Sequence, residues 1–353
     1  MLKFILYPFA VLYDGVTRIR NYMYDRGLKP SMGFDLPVIS VGNLSVGGTG
    51  KTPMIEYLIR LLTPEHKVGV LSRGYGRKSR GFIVARGDED ASDIGDEPLQ
   101  YFKKFRDRIQ VAVGEERALS IPLMLQEDED TDVILLDDAF QHRRIRPSFQ
   151  ILLTSYQKPF FSDMLLPAGR LRESATGAVR ADLVVVSKCP AELGDQELMD
   201  IEKQIRDFTT RPVFFSTISY GAVVPFENTT VPLGEDVILV TGIADPRTIV
   251  DHVRKHYRLK EHISFPDHHR YAASDIDLII QSRKGRDCSV LTTEKDMVKL
   301  DVPAFGRYLE RIPFFYIPIT VQFLKQQGEF DEIIKAHVAE VYKKTSESGS
   351  EAS

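Results

Sequence analysis

The sequence predicts an α/β fold, in which helices flank a mostly parallel sheet and a second, smaller α/β domain follows. Two observations predict this fold class. Apolar runs that end in polar or glycine residues recur between residues 38 and 215, and helix-like stretches separate several of them. Such alternation is typical of a parallel sheet covered on both faces, in which ligands gather at the carboxyl ends of the strands.

The elements follow in order from these runs. Strands of the first domain are expected at 38–41, 67–71, 109–113, 133–136, 149–153, 182–186 and 212–215. Helices are expected at 53–62, 97–105 and 115–126, of which the first has apolar residues at helical spacing. A second strand–helix set is expected at 237–241, 246–257, 261–265, 274–283, 288–293, 313–318 and 327–342.

These elements predict five parts of the chain. They are an apolar and basic N-terminal segment at 1–30, a first domain at 31–220, a connecting segment at 221–236, a smaller C-terminal α/β domain at 237–343 and a tail at 344–353. The connecting segment is predicted from its Pro, Asn and Thr residues. The tail is of low complexity, and we expect it to be disordered because such a sequence buries too little apolar surface to fold.

Composition narrows the class of protein. The 353 residues are 43% hydrophobic and 27% charged, which is typical of a globular protein long enough for two domains. The net charge of −4 gives no basic field that would favour nucleic acid. Cys189 and Cys288 are too far apart in sequence to form a metal-binding motif, so we expect two buried thiols in a reducing compartment.

The N-terminus is unusual. Leu2 to Tyr13 is almost wholly apolar, and four basic residues and further tyrosines follow it. No stretch is long and apolar enough to span a bilayer, and the charge order does not fit a signal peptide. Two interpretations remain open from composition alone: an interfacial amphipathic segment on an anionic membrane, or a helix packed on the domain.

A glycine-rich loop follows the first predicted strand and precedes a predicted helix. It reads Ser45-Val46-Gly47-Gly48-Thr49-Gly50-Lys51-Thr52. Glycines let the backbone N–H groups approach an anion closely, and the helix N-terminus favours negative charge. We expect Lys51 to reach the β- and γ-phosphates of a nucleoside triphosphate and the Thr52 hydroxyl to bind Mg²⁺. Ser45 stands where the P-loop pattern has Gly, and a flexible linker is the less favoured alternative.

Carboxylates and guanidiniums are expected at the same edge of the sheet. Asp137 and Asp138 end a buried strand, where a P-loop site needs oxygen ligands for Mg²⁺ or its waters; a turn is the alternative. Arg170 and Glu173 lie near a Gly turn, where they could neutralise phosphate charge and add a metal ligand. The alternative there is a turn with surface ion pairs.

Three further motifs are weaker alone. Tyr75 lies in the loop Ser72–Arg77 after a strand, which suits contact with a phosphate or a sugar. Asp96 precedes a predicted helix and is either a catalytic base or an N-cap. Asp267 and His268 follow a strand and a Pro; they suit a pair of base and orienting group, or a metal site.

Taken together, these residues resemble the tetraacyldisaccharide 4′-kinase family. The landmarks stand in order from Val41-Gly42-Asn43 to Thr293-Glu294-Lys295-Asp296, with Thr241–Pro246 among them. The resemblance implies a P-loop kinase at the cytoplasmic face of the inner membrane of a Gram-negative bacterium, peripheral or monotopic. It would use ATP and Mg²⁺ to phosphorylate the 4′-hydroxyl of an acylated glucosamine disaccharide 1-phosphate, giving lipid IVA for lipid A.

The resemblance also implies roles for individual residues. Asp96 would be the general base, supported by His268 with Asp267 nearby. Thr52, Asp137, Asp138 and Glu173 would serve the Mg²⁺ and phosphate site. Lys51 and Arg170 would stabilise charge, and Tyr75 would lie near nucleotide or substrate. It also favours the interfacial interpretation of the N-terminus, since the acyl chains of the acceptor lie in a bilayer.

Two other functions are consistent with a P-loop. One is a regulatory ATPase of the partitioning or metallochaperone type, which does not need an acid–His pair on a second domain. The other is a GTPase, which is disfavoured because Ser187-Lys188-Cys189-Pro190 lacks the Asp of a guanine-reading Lys-x-Asp element.

Overall fold

A computed structural model describes residues 2–283 and 287–351 of the chain. Its strands are β1 (Val38–Asn43), β2 (Val68–Ser72), β3 (Ile83–Val84), β4 (Ile109–Val113), β5 (Val133–Asp137), β6 (Phe149–Ser155), β7 (Leu183–Ser187), β8 (Val213–Tyr220), β9 (Val224–Pro225), β10 (Asp236–Thr241), β11 (Arg258–Ser264), β12 (Ser289–Thr293), β13 (Phe314–Ile317) and β14 (Ile319–Phe323). Its helices are α1 (Leu2–Asp25), α2 (Lys51–Leu62), α3 (Ala91–Ile94), α4 (Asp96–Phe105), α5 (Arg117–Glu127), α6 (Asp195–Arg206), α7 (Arg247–His256), α8 (Ala273–Ser282), α9 (Glu294–Leu300), α10 (Gly306–Leu309) and α11 (Gln327–Glu351).

The larger sheet has the order β14-β8-β7-β6-β1-β5-β2-β4-β3. It is parallel except for β3 and β14 at its two edges, which pair antiparallel with their neighbours. The predicted mostly parallel α/β fold is therefore confirmed. Each predicted strand of the first domain forms within two residues of the predicted start, because a strand buried on both faces is a continuous apolar run.

A smaller sheet has the order β11-β10-β12-β13-β9. It is parallel except for β9, which lies in the segment predicted as a connection. Its core, around Val240, Val290 and Phe314, is separate from the core of the larger sheet. We call the part of the chain around the smaller sheet the small lobe, and the rest the large lobe.

The C-terminal boundary predicted at 343 is corrected by the topology. After β13 the chain returns to the larger sheet, where β14 pairs with β8. Side chains of α11, including Phe330 and Ile334, are fully buried in the core of the large lobe beside Phe214 and Phe323. The smaller unit therefore ends near Ile317. The tail predicted to be disordered is also corrected, since α11 continues to Glu351; the last two residues, 352 and 353, lie outside the described residues, as does residue 1.

Helix α1 packs on the large lobe by one face only. Ala10 and Thr17 are buried, and the Tyr13 hydroxyl donates a hydrogen bond of 2.8 Å to the carbonyl of Arg172. The opposite face exposes Ile5, Phe9, Leu12, Val16, Ile19 and Tyr22. Within the described residues, no helix has the length and hydropathy required to cross a membrane.

Candidate active site

The glycine-rich loop joins β1, at the centre of the larger sheet, to the N-terminus of α2. Gly50 has a left-handed backbone (φ 82°) at the start of that helix, which glycine adopts without strain. The Asn43 amide donates to the Thr49 hydroxyl (2.9 Å), and the Ser187 hydroxyl donates to the Thr49 carbonyl (2.7 Å). These bonds hold the loop from β1 and from β7, which lies two strands away, so its N–H groups are preorganised around the start of α2.

The predicted Arg170 segment runs beside this loop. The N–H of Val46 donates to the carbonyl of Arg170 (2.8 Å), and Ser45 pairs with Leu171. Ser45 is therefore buried in a backbone pairing. The guanidinium of Arg170 forms an ion pair with Asp163 (2.8 Å) and remains one-third exposed.

Asp138 stands at the carboxyl end of β5 among cations. Its backbone is left-handed (φ 50°). Arg172 Nη1 lies 3.0 Å from each carboxylate oxygen, and Lys51 Nζ lies 3.7 Å from Oδ1. Burial raises the pKa of Asp138, but Lys51 and Arg172 lower it more, so the net pKa lies below its ordinary value and the carboxylate is ionised.

Asp137, the preceding residue, is almost fully buried. Its Oδ2 accepts a hydrogen bond from the Tyr101 hydroxyl (3.2 Å), and its Oδ1 has no hydrogen-bond partner among the described residues. Burial and the neighbouring charge of Glu97 raise its pKa to about 7, although Lys51 opposes them. A buried carboxylate oxygen without a partner, close to Lys51 and the start of α2, suits a site for a divalent cation.

Asp96 and His268 come together from the two lobes. Asp96 begins α4, and its Oδ2 lies 3.1 Å from Nδ1 of His268, which follows β11. The N-cap of α4 is Gly95, so the N-cap alternative for Asp96 is wrong. Burial raises the pKa of Asp96, but the hydrogen bond from His268 and the charges of Lys299 and Lys295 lower it below its ordinary value.

The other predicted small-lobe residue, Asp267, lies at the edge of this pair. Its carboxylate accepts from Lys295 Nζ (3.0 Å) and lies 3.8 Å from Nε2 of His268. The ring of Tyr75, on the large lobe, lies 5.1 Å from the His268 ring, centroid to centroid. The structure therefore brings Asp96, His268, Asp267 and Tyr75 together. The local motif suggested a pair of Asp267 and His268; the structure instead pairs His268 with Asp96, as the family resemblance implied.

Glu173 lies away from this group. One of its oxygens accepts from Arg180 (2.8 Å) and Gln141 (3.0 Å), and the other accepts from Asn21 of α1 (2.7 Å). The side chain is fully buried. Both carboxylate oxygens are thus engaged, and this environment makes Glu173 an anchor for α1 rather than an open metal ligand. Within the described residues, no group of three or more His, Cys, Asp and Glu side chains is gathered as a metal cluster.

Lys188 is a site residue that the sequence analysis missed. It follows β7 with a left-handed backbone (φ 58°), and its Nζ lies 3.6 Å from where a Cβ on Gly48 would be. Burial lowers its pKa, and the nearest opposing charges are Asp245 and Asp267 of the small lobe. The ammonium forms no ion pair with the described side chains. The available signal was a lysine at the carboxyl end of a strand, but Lys188 was considered only as part of a possible guanine-binding element.

Two lysines of α9 were also missed. Lys299 Nζ lies 2.9 Å from Asp296 and 3.8 Å from Asp96, and Lys295 Nζ lies 3.3 Å from Nε2 of His268. The motif Thr293–Asp296 was recognised only as a landmark of the family resemblance. The structure places it at the N-terminus of a helix that faces α4 and its Asp96.

The chain is similar to known proteins over nearly its whole length. The family model described as tetraacyldisaccharide-1-P 4′-kinase matches residues 2–339. A tetraacyldisaccharide 4′-kinase of Flavobacterium johnsoniae is 42% identical over 96% of this chain and 98% of its own length. One of Phocaeicola vulgatus is 40% identical over 97% and 95%. A crystal structure of the "apo" form of LpxK from Aquifex aeolicus in complex with ATP has a TM-score of 0.76 at 30% identity, covering 96% of this chain and 100% of that one.

Proposed function

This chain belongs to the tetraacyldisaccharide 4′-kinase family, and from that premise we propose how its residues perform the reaction. The enzyme transfers the γ-phosphate of ATP to the 4′-hydroxyl of a tetraacyldisaccharide 1-phosphate in lipid A biosynthesis, giving lipid IVA. The roles of single residues, the metal and the membrane placement are the subject of the proposal. The observation that carries it is the contact of 3.1 Å between Asp96 and His268, which joins the lobes beside the phosphate loop.

The loop Ser45–Thr52 binds the triphosphate of ATP. Its N–H groups and the start of α2 face the phosphates, and Lys51 neutralises the β- and γ-phosphates. Lys188 adds a second cation on the other side of the loop, toward β7. Tyr75 borders the space between this loop and His268. The positions of these side chains leave the γ-phosphate between Lys51 and the pair of Asp96 and His268.

The residues present fit Mg²⁺. Thr52 offers a hydroxyl, Asp138 an ionised carboxylate, and Asp137 a buried oxygen without a partner. When bound, the cation would neutralise charge on the phosphates. Glu173 is not part of this ligand set, because both of its oxygens are engaged in the anchor of α1.

Asp96 acts as the general base for the 4′-hydroxyl. The hydrogen bond from His268 Nδ1 orients the carboxylate, and Lys299 keeps it ionised. Arg170 and Arg172 supply positive charge beside the phosphate loop, and Arg172 also donates a hydrogen bond to Asp138. Phosphoryl transfer requires mainly positioning and charge neutralisation, which this set of charges supplies from both lobes.

The acceptor carries acyl chains, and we place the enzyme at a membrane surface through α1. The large apolar residues exposed on the outer face of that helix are the support for this placement. The placement fits a peripheral or monotopic protein at the cytoplasmic face of the inner membrane. The earlier packed-helix alternative describes only the inner face, which Ala10 and Thr17 occupy.

One assay tests the proposal. The purified protein is incubated with ATP, Mg²⁺ and the disaccharide 1-phosphate in detergent, and we expect a product phosphorylated at the 4′-hydroxyl. The Lys51→Ala variant is the negative control. Hydrolysis of ATP without acceptor at the same rate as with acceptor, and no lipid product, would instead indicate the regulatory ATPase.

A further inference from the structure

A cavity of about 600 Å³ lies beneath the C-terminal end of α1. Its walls are the end of α1 with the turn that follows it, from Tyr24 to Ser31, and the segment 139–147 that follows β5. Gln150 and Arg180 complete it near the amino ends of β6 and β7. The phosphate loop, Asp96 and His268 do not line it, and the lining segment 139–147 leads from the carboxyl end of β5 back to the amino end of β6. The cavity is therefore separate from the site of phosphoryl transfer.

The lining is predominantly basic. Lys29, Arg143, Arg146 and Arg180 face the cavity, and Asp25 is the acidic residue among the lining side chains. Asp25 pairs with Arg143 (2.6 Å), and the described residues give neither Lys29 nor Arg146 an ion pair. A net positive, concave surface concentrates anions.

Two buried N–H groups of this lining lack acceptors. Arg143 Nη1 and Arg180 Nε have no hydrogen-bond partner among the described residues, although Nη2 of each guanidinium forms an ion pair. Leaving buried donors unpaired costs free energy, so such groups normally meet a ligand or water. Tyr24 lies between two of the cations, with Lys29 at 5.8 Å and Arg143 at 5.5 Å from its ring centroid, which fixes their positions.

We propose that this cavity binds the phosphate of an anionic glycerophospholipid headgroup, separately from the acceptor lipid. The proposal rests on the placement of α1 at a membrane surface. With the apolar face of α1 in the interface, the cavity at the end of the helix lies at the depth of the headgroups. Guanidinium groups bind phosphate through paired N–H donors, and basic pockets beside membrane-embedded helices bind anionic headgroups. The site gives the kinase a preference for anionic bilayer surfaces.

Vesicle binding of the full chain tests the site. We compare wild type with the double variant Lys29→Ala/Arg146→Ala on vesicles of phosphatidylcholine with and without phosphatidylglycerol. A basic residue near an anionic surface contributes about fivefold in binding, so the double variant should lose roughly tenfold or more of the increase caused by phosphatidylglycerol. Binding to neutral vesicles should not change. The control Lys203→Ala/Lys255→Ala removes the same charge from α6 and α7 and should keep the increase.

The proposal would be overturned if phosphatidylglycerol increased vesicle binding of the double variant as much as that of wild type. If wild type binds neither kind of vesicle, the placement of α1 is refuted instead. Dihexanoylphosphatidylglycerol, as a monomer in calorimetry, then decides the cavity alone: binding that the double variant loses supports the site, and no binding to wild type refutes it.

The acceptor's own 1-phosphate is distinguished by kinetics in nonionic detergent. The KM of the double variant for the acceptor should equal that of wild type. A KM that rises for the 1-phosphate acceptor, but not for an acceptor lacking that phosphate, would assign the cavity to the substrate and overturn the headgroup site.

Discussion

At the scale of single residues, the site depends on left-handed backbone conformations, which residues other than glycine rarely adopt. Asp138, Lys188 and His268 all have positive φ, at 50°, 58° and 57°. Such conformations cost free energy and persist where surrounding contacts fix them, often at functional sites. The carboxylate of Asp138 lies near Lys51, the ammonium of Lys188 lies near Gly48, and the imidazole of His268 contacts Asp96. No sequence pattern reports these conformations, so the position of Lys188 after a strand did not show that its ammonium turns toward Gly48.

Asp96→Asn tests the general base. We expect kcat to fall roughly 10²–10⁴-fold, because the variant cannot accept the proton, while the Kd for ATP stays near that of wild type. Steady-state kinetics and calorimetry measure the two quantities. Asp275→Asn is a matched control, since Asp275 forms a similar pair with His269 (2.9 Å) outside the site. A near-normal kcat for Asp96→Asn would remove Asp96 from the role of base.

His268→Ala tests how the ionisation of Asp96 is maintained. Burial raises the pKa of Asp96, and His268 is the first of the groups that lower it. Without His268 the pKa should rise, so the acid limb of kcat/KM should move to higher pH than in wild type. The pKa of the wild-type carboxyl lies below its ordinary value, so Asp96 contributes no limb near neutrality. An unchanged pH profile would contradict this coupling.

Lys188→Met tests the second lysine at the phosphate loop. A hydrogen bond to a charged group contributes about 1.5–3 kcal/mol, so KM for ATP should rise roughly 10-fold or more with little change in kcat for saturating ATP. Lys158→Met, at an exposed turn near the end of β6, is the control and should leave KM unchanged. Equal KM values for the two variants would exclude Lys188 from nucleotide binding.

At the scale of elements, the two faces of helix α1 differ in role: the inner face packs on the protein and the outer face is exposed. The inner face anchors Glu173 through Asn21 and reaches Arg172 through Tyr13. Deleting residues 1–25 would therefore leave a buried carboxylate with fewer partners and confuse membrane binding with stability. Substitutions confined to the outer face separate the two effects.

Leu12→Ser/Ile19→Ser removes two large apolar side chains from the outer face. Each contributes roughly 1.5–3 kcal/mol when buried, so liposome binding should weaken by 10-fold or more, while the melting temperature stays near that of wild type. Cosedimentation with liposomes measures the effect. Val179→Ser/Met199→Ser, which changes exposed apolar residues elsewhere, should bind like wild type. Unchanged binding of the α1 variant would mean that this face does not enter the membrane.

Sequence predicted elements best where one periodicity dominates. The β1–loop–α2 unit was predicted almost residue by residue, and Met54, Ile55, Leu58, Ile59 and Leu62 are all buried as their helical spacing indicated. Elements with mixed signals were missed. The surface helix α6 is mostly polar, α9 begins within a charged motif, and β14 follows β13 after a single proline.

Site residues were predicted from local motifs where the motif is contiguous, and only from the family resemblance where the fold brings distant segments together. The phosphate loop and the acids after β5 are local. The contact of His268 with Asp96, 172 residues away, is not local: the local motif paired His268 with the adjacent Asp267, and only the family resemblance implied Asp96 as its partner. Glu173 illustrates the converse, since its buried partners lie on α1 and in the segments 139–147 and 174–182, which no local pattern connects.

At the scale of the whole molecule, α4 joins the lobes. It carries Asp96 at its start, and Lys104 near its end lies 2.7 Å from Glu56 of the large lobe and 2.6 Å from Glu294 of α9. Both carboxylates are buried. Burial and the charge of Glu56 raise the pKa of Glu294, and Lys104 opposes them. The position of Asp96 beside His268 therefore depends on a buried cluster of charges more than two turns away along the helix.

Lys104→Met should destabilise the protein in a pH-dependent way. Removing one partner of a buried ion pair costs about 3–5 kcal/mol. The pKa of Glu294 is raised in the folded state, so this carboxyl favours folding only while protonated; without Lys104 the deficit should be small near pH 4 and grow as pH rises to about 8. Urea unfolding across this range measures it. The exposed pair of Lys335 and Glu65 provides the control Lys335→Met, which should change stability by less than about 1 kcal/mol at any pH. If the loss of unfolding free energy in Lys104→Met did not change with pH, the buried carboxylates would not be its cause.

The return of the chain to the larger sheet has a consequence for biosynthesis. Domains fold as units while the ribosome is still adding residues. The small lobe, complete once Ile317 has emerged, can form its own core at once. The large lobe cannot, because β14 and the buried face of α11 are translated only afterwards. A nascent chain stalled between these points would hold a folded small lobe beside a phosphate loop whose sheet still lacks an edge, and that intermediate is where chaperones would be expected to act.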